Sequence, residues 1–225
     1  MKKIFQWIFL VTIAIPLFAQ KTSGKITYDI AQIEYTDQGK NADFTNMLKT
    51  AKQQQYQLLF NKEYTSFTLV DYMDDDSSSP FYNSLAKTYV SYADFYFDYK
   101  NKDEIEDIGD GTLLEQKIPE LDWKITSESR TIDQYQCYKA TYSFDYMSRG
   151  KTVTRVIIAW FAPSLPYSYG PKSYHGLPGL ILELTDNTVT FLASKIELSD
   201  KKIEIKIPSG QRISKEEFEK AILRN

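Results

Sequence analysis

Apolar and polar residues alternate along most of the chain, with the period of two that is typical of half-buried β-strands. The segment "GKITYDIAQIEY" (residues 24–35) places Ile26, Tyr28 and Ile30 on one face. The runs "YQLLF" and "YTSFTLV" follow, and only residues 61–63 separate them. This arrangement predicts one strand followed by a β-hairpin.

Strand-like runs continue to residue 207, with turn signals between them. They are "YADFYFDYK", "DEIEDI", "TLLEQKI", "DWKITSESRTI", "YQCYKATYSFDY", "KTVTRVIIAWFA", "LILEL", "TVTFLASKIEL" and "KKIEIKI". Predicted turns lie at Asp110-Gly111, Asp133-Gln134, Asp186-Asn187 and Ser199-Asp200. The run "KTVTRVIIAWFA" is polar at its start and apolar at its end, so we expect that strand to begin exposed and finish buried.

Helical spacing of apolar residues occurs in "NADFTNMLKTAKQQQ", where the inward positions are Phe44, Met47, Leu48 and Ala51. We expect a short helix there, covering one face of the sheet. The following "DYMDDDSSSP" contains Asp74, Asp75 and Asp76, but it lacks the glycine and the ligand spacing of the twelve-residue calcium loop. It is interpreted as a solvated loop.

A second helix is predicted at the C-terminus. Ser214 and Glu217 fit a capping box, and Ile213 with Phe218 fits a hydrophobic staple. The expected inward face of this helix consists of Phe218, Ala221 and Ile222.

These elements amount to about ten strands with one or two covering helices, without a βαβ rhythm or an internal repeat. The predicted fold class is α+β, mainly β. It consists of one large antiparallel sheet that curves into a half-barrel or open barrel, because a sheet of that size must curve or close.

The N-terminus has the pattern of a secretory signal peptide. Lys2 and Lys3 precede an apolar stretch over residues 4–18, and Ala19 precedes polar sequence. The apolar stretch is short for a spanning helix of ~20 residues. We therefore predict a signal peptide at residues 1–19 and a single domain at 20–225. The exported protein is expected to be periplasmic or secreted and not to span a membrane after cleavage.

Composition excludes several kinds of chemistry. The net charge of -3 argues against nucleic acid as a partner. Cys137 is the only cysteine, so no internal disulfide can form, and we expect a buried thiol in a strand. His175 is the only histidine, which rules out a multi-histidine metal site. There is no G-x-S-x-G elbow and no phosphate-binding glycine loop. We expect no metal, no cofactor and no enzymatic activity.

One connecting segment, residues 163–176 ("PSLPYSYGPKSYHG"), is longer than ordinary loops, and we call it the tyrosine loop. Its three prolines restrict the backbone, and its candidate binding residues are Tyr167, Tyr169, Tyr174 and His175. It could form the rim of a ligand groove or a partner-binding surface. Alternatively, it packs on the sheet and closes one end of the core.

The loop ends in a compact structural motif. The motif consists of Gly176, Leu177, Pro178, Gly179, Leu180 and Ile181. Pro178 and Gly179 suit the central positions of a type II turn, in which Gly179 would have a positive φ. Leu180, Leu182 and Leu184 would then share one face of the next strand.

The hexapeptide "GLPGLI" at residues 176–181 is the signature of the GLPGLI family of exported proteins, found mainly in Bacteroidetes. The surrounding "AWFAPSLPYSYGPKSYHGLPGLILEL", which includes Trp160, resembles that family's signature block, and "DWKITSESRTIDQYQCYKAT" is similar to its upstream block. The resemblance implies a Gram-negative envelope or secreted setting. It implies no site residues, because the family has no established biochemical function.

Two functional expectations follow. The first is a non-catalytic binding module for a hydrophobic small molecule or lipid, by analogy with curved half-barrels. The second is an envelope scaffold or accessory protein that docks on an outer-membrane protein.

Overall fold

The computed structural model describes residues 21–35, 42–70, 79–148 and 150–223. The predicted signal peptide and the cluster at residues 74–76 lie outside these ranges. In chain order, the described elements are β1 (Ser23–Ile33), α1 (Ala42–Gln53), β2 (Gln55–Phe60), β3 (Tyr64–Leu69), α2 (Pro80–Val90), β4 (Asp94–Asp98), β5 (Asp103–Asp107), β6 (Thr112–Lys117), β7 (Lys124–Ile132), β8 (Tyr135–Ser148), β9 (Lys151–Ala162), β10 (Leu180–Asp186), β11 (Val189–Ser199), β12 (Gln211–Ser214) and α3 (Lys215–Leu223).

All described strands belong to one 12-stranded sheet, in the order β12-β6-β5-β4-β3-β2-β1-β11-β10-β9-β8-β7. The sheet is open, with β12 and β7 at its edges. Neighbouring strands are antiparallel, except that β12 runs parallel to β6. The predicted mainly β architecture built on one large sheet is confirmed. The sheet is mixed rather than purely antiparallel, and its strand number exceeds the predicted value of about ten.

The segment at residues 201–207 was predicted to be a strand, and this prediction is wrong. Both edges of β11 are already occupied, by β1 and β10, so the chain that leaves β11 finds no neighbouring edge to join. Instead it is held at Ile203, whose carbonyl accepts a hydrogen bond of 2.8 Å from the Asn61 side chain. The chain then reaches the free edge of β6 and forms β12.

Three helices are present in the described ranges, one more than predicted. The additional helix is α2, which begins directly after the serine-rich break, with Pro80 in its first turn. Proline is favoured there because its missing N–H would have no intrahelical partner. Ala86 and Val90, one helical turn apart, form the buried side of α2.

The sheet has an inner face that carries most of the core. Its centre is an aromatic cluster in which the Tyr56 ring lies 5.3 Å from Phe67 and 5.5 Å from Phe191. The alternation predicted for β1 is confirmed, since Ile26, Tyr28 and Ile30 are all buried. Further core residues lie on β8, β9 and β10 and on the helices α1 and α2. Cys137 is fully buried, as predicted.

Helices α1 and α2 pack together over one end of the inner face. The predicted inward side of α1 is confirmed, because Met47, Leu48 and Ala51 are buried. Helix α3 contacts β6 and β12 at the sheet edge. Its predicted inward face is only partly correct: Phe218 is half-buried, whereas Ala221 is exposed. The side chain of Ile222 lies outside the described residues.

Candidate functional site

The tyrosine loop lies on the inner face, and its first two tyrosines pack against β2. The Phe60 ring of β2 lies 4.7 Å from the Tyr167 ring and 5.1 Å from the Tyr169 ring. The Tyr167 hydroxyl donates to the carbonyl of Lys21 at 3.0 Å. Tyr167 and Tyr174 are buried, and Tyr169 is half-buried. These tyrosines therefore close the core, whatever further role they have.

His175 is held at the end of the loop. The centre of its ring lies 5.2 Å from the centre of the Phe97 ring in an edge-to-face arrangement. The carbonyl oxygen of His175 accepts a hydrogen bond of 2.8 Å from the Trp123 indole. Burial lowers the pKa of His175, so the ring is neutral at physiological pH. Its Nε2 atom is buried and has no hydrogen-bond partner among the described residues. No nucleophile is therefore seen in hydrogen-bond contact with this atom.

The motif that ends the loop does not form the predicted type II turn. Gly176, not Gly179, has the positive φ, at 89°. Gly179 is required for a different reason: a Cβ atom there would lie 2.4 Å from the carbonyl oxygen of Ala162. Two backbone segments approach each other at this point, and only glycine leaves room for them.

Beyond the motif, β10 contains a bulge. Pairing with β9 shifts between Ile181 and Glu183, so Leu182 is an extra residue that breaks the predicted alternation. Leu180, Ile181, Leu182 and Leu184 are all fully buried as a result. Leu177 is also buried, and Pro178 is exposed.

Trp160 lies on the opposite face of the sheet, away from the tyrosine loop. The Arg130 guanidinium stacks 4.0 Å from the centre of the Trp160 ring. The same guanidinium forms an ion pair with Glu183, the cross-strand neighbour of Trp160. Trp160 is thus part of a surface cluster that supports β9 and β10.

The inner face also has a groove of about 640 Å³ between α1, α2 and the β10–β11 turn. Its apolar walls are formed by Phe44, Met47, Leu85, Tyr89, Val90 and Val189. The Phe44 and Tyr89 rings meet edge to face at 6.4 Å, which joins the two helices across the groove. The hydroxyl groups of Tyr89 and Thr188 share a hydrogen bond of 3.3 Å, which links α2 to the β10–β11 turn.

A charged cluster of Arg155, Lys172 and Asp186 lines the same groove. Lys172 Nζ donates to Asp186 Oδ2 at 2.8 Å, and Arg155 Nε donates to Asp186 Oδ1 at 2.7 Å. Lys172 and Asp186 are only 8% and 4% exposed. Burial lowers the pKa of Lys172, and the Asp186 carboxylate opposes that shift. Burial and the nearby Asp186 raise the pKa of Tyr174, which places this loop tyrosine beside the cluster.

The charged cluster was not predicted, although Lys172 belongs to the tyrosine loop. Its three members come from β9, the loop and the end of β10, and only the fold brings them together. One available signal was the position of Lys172, which directly follows Pro171 in a loop rich in proline and tyrosine. The structure thus brings Lys172 to the groove and Tyr174 beside Asp186, and it places Tyr167 and Tyr169 elsewhere.

Tyr167 and Tyr169 line a second cavity, of about 410 Å³. Its other walls include Lys21, Lys62 and Pro166. Lysines and hydroxyl groups mix with the aromatic rings here, so this cavity is less suited to an apolar ligand than the groove.

A pair of buried carboxyl groups lies elsewhere on the inner face, on β5. Glu106 accepts hydrogen bonds from the Lys215 ammonium and the Tyr92 hydroxyl. Glu104 accepts one from Gln116 at 3.1 Å. Burial, reinforced by Glu106 and opposed by Lys215, raises the pKa of Glu104 to about 7. This arrangement ties the start of α3 to the sheet.

Two kinds of site are not seen. Among the residues that the structure covers, no three histidine, cysteine, aspartate or glutamate side chains converge in a way that could hold a metal ion. Within the described ranges, no helix combines the length and the hydropathy needed to cross a bilayer.

Comparison with known proteins gives a family match over part of the chain. The model of a family described as "Protein of unknown function (Porph_ging)" matches residues 145–183, which include the end of β8, all of β9, the tyrosine loop and the start of β10. No curated protein matches the chain.

Two solved structures have a similar fold. They are described as "Structure of PNGF-II in P21 space group", with 13% identity and a TM-score of 0.54, and "Structure of PNGF-II in C2 space group", with 14% identity and a TM-score of 0.52. Each match covers 90% of this chain and 33% of the other. The chain thus spans about a third of the length of PNGF-II, and at this identity the likeness concerns the fold alone.

Proposed function

We propose that the protein is an exported cell-envelope protein whose groove binds a hydrophobic or lipid-like ligand without converting it chemically. The groove is the observation that carries this proposal. Its volume of about 640 Å³ lies within the range of ~300–1,000 Å³ that is usual for small-molecule sites. Most of its accessible surface is apolar, and three of its four charged side chains, those of Arg155, Lys172 and Asp186, are gathered in one cluster that could orient a ligand.

The proposed setting is the periplasm or the exterior of a Gram-negative cell. The basic and apolar N-terminal pattern supports export. We also propose membership of the GLPGLI family, because the matched residues 145–183 contain the whole hexapeptide at 176–181. The tyrosine loop would then contribute to binding mainly by positioning Lys172 and Tyr174.

The ligand can be sought directly by native mass spectrometry of the mature protein purified from its own periplasm. We expect a co-purifying small molecule. The variant Leu85→Trp places a larger side chain in the groove wall and should abolish the adduct. Phe81→Trp changes an exposed residue of the same helix outside the groove and should retain it. An adduct that survives Leu85→Trp unchanged would place the ligand elsewhere.

A second candidate function is docking on an outer-membrane protein. It is favoured by exposed apolar side chains near the β8–β9 hairpin tip, where Met147 is 55% exposed and Tyr146 pairs directly with Val153. A photo-crosslinking amino acid at position 147 should then capture one outer-membrane protein in intact cells, and the same group at exposed position 120 should not. Equal labelling from both positions would count against docking at this hairpin.

A further inference from the structure

The charged cluster carries more positive than negative charge. Two cations, Lys172 and Arg155, share the single carboxylate of Asp186. Within the described ranges, the other acidic residue along the groove is Asp43, which is exposed in the first turn of α1 and accepts a hydrogen bond of 2.6 Å from the Tyr82 hydroxyl. The buried end of the groove therefore has one positive charge in excess.

The two cations also have hydrogen-bonding capacity that the fold does not use. The Lys172 ammonium has three N–H donors. Among the described residues it has one acceptor, Asp186, together with the Phe191 ring, whose centre lies 5.4 Å from Nζ. Both polar contacts of Arg155 go to the same oxygen, Oδ1 of Asp186. The Arg155 guanidinium is partly open to water, but the Lys172 ammonium is buried, and buried donors without an acceptor are unfavourable, so an acceptor-only ligand group would be stabilised at Lys172.

We propose that the ligand is a single-chain amphiphile with a carboxylate head group, which accepts hydrogen bonds from Lys172 and Arg155 while its chain lies along the apolar walls. This inference rests on the proposed function of the groove. A carboxylate carries the one negative charge that balances the cluster, whereas a phosphate monoester carries about 1.5 to 2. A buried cation paired with an anion in a desolvated site binds much more strongly than in water.

Isothermal titration calorimetry on the mature protein tests this with three probes of equal chain length, used below their micelle-forming concentrations: dodecanoate, dodecanol and dodecylamine. We expect dodecanoate to bind at least about tenfold more tightly than dodecanol, and dodecylamine to bind most weakly. Lys172→Met should lower dodecanoate affinity to that of dodecanol and leave dodecanol binding unchanged. Lys62→Gln, which removes an exposed lysine outside the groove, should change neither.

The results separate two claims: that the groove binds an apolar chain, and that the charged cluster selects a carboxylate head group. Equal affinity for dodecanoate and dodecanol would overturn the carboxylate inference and leave the apolar groove intact. Absence of binding by all three probes would overturn both. If Lys172→Met does not fold, Arg155→Gln replaces it, since Arg155 is more exposed and Asp186 keeps Lys172. Unchanged dodecanoate selectivity in a folded variant would contradict the role of the cluster.

Discussion

Gly176 and Gly179 lie three residues apart and require glycine for different physical reasons. Gly176 has a φ of 89° with open space around it, so a side chain there would strain only the backbone. Gly179 has an ordinary φ, but its Cα faces the backbone of Ala162 and Pro163. A methyl group at Gly179 would collide with atoms that cannot move without shifting β9.

This contrast can be tested with two alanine variants. We expect Gly176→Ala to lower the free energy of unfolding by roughly 1 to 2 kcal/mol, the usual cost of a left-handed conformation. We expect Gly179→Ala to lower it by about 3 kcal/mol or more, because overpacking against backbone cannot relax through side chains. Urea denaturation provides both values. Equal losses for the two variants would show that the close approach to Ala162 is not the constraint.

Glu104 should make stability depend on pH. Its folded-state pKa of about 7 lies above the ordinary value of 4.5. Between these two pH values the folded protein keeps a proton that the unfolded chain has lost, so this residue's contribution to stability falls as the pH rises through that window. A shift of this size corresponds to about 3 kcal/mol. Burial lowers the pKa of His175, so below pH 6.5 the contribution of that residue to stability rises as the pH rises.

The variant Glu104→Gln isolates this effect, because His175 is present in both proteins and a glutamine can still accept the Gln116 hydrogen bond. We expect Glu104→Gln to gain stability relative to the parent protein as the pH rises from 4.5 to 7.5, by about 3 kcal/mol in total. Chemical denaturation at a series of pH values measures the difference. A difference that does not change with pH would mean that Glu104 titrates normally in the folded state.

At the scale of elements, α3 is held to the sheet mainly through its first residue. The Lys215 ammonium neutralises Glu106, whose side chain is 1% exposed. We expect Lys215→Met to destabilise the protein by about 3 kcal/mol, because the buried Glu106 charge loses its cation. Lys220→Met removes an exposed pair with Glu216 on the same helix and should leave stability unchanged. Similar thermal shifts in both variants would indicate that α3 is not anchored through Lys215.

The elements that could be predicted from sequence are those whose pattern of buried and exposed residues is visible within the segment itself. Alternation identified β1 and the following hairpin, and helical spacing identified α1, because each pattern reflects burial of a single face. Strand β12 could not be found in this way: it has four residues, and among the described residues it pairs with β6, about 100 positions earlier. The segment at residues 201–207 shows the reverse case, in which alternation was present but both edges of the preceding strand, β11, were occupied.

Helix α2 was missed because a serine-rich break precedes it and its buried side is short. Its inward residues are only Ala86 and Val90, and the exposed Phe81 and Leu85 blur the helical pattern. Because α2 forms one wall of the groove, the groove could not be predicted either. Without that helix, the sequence pointed to the tyrosine loop alone.

At the scale of the whole molecule, the candidate site is assembled from parts far apart in the chain. The cations Arg155 and Lys172 meet Asp186 only because β9 pairs with β10 and the loop between them folds back onto the inner face. Ion pairing of this kind has no sequence period. The sequence could indicate that the loop was rigid and aromatic, but not that its lysine would face an apolar groove.

The central claim, that the groove binds an apolar chain, is tested most directly by methyl NMR during titration with dodecanoate. We expect the shift changes to be concentrated at Met47, Leu85, Val90 and Val189, which line the groove. The methyl groups of Leu58 and Leu180 are buried outside its lining and should change little. Changes centred instead on residues near Tyr167 and Tyr169, or no changes at saturating dodecanoate, would contradict the account.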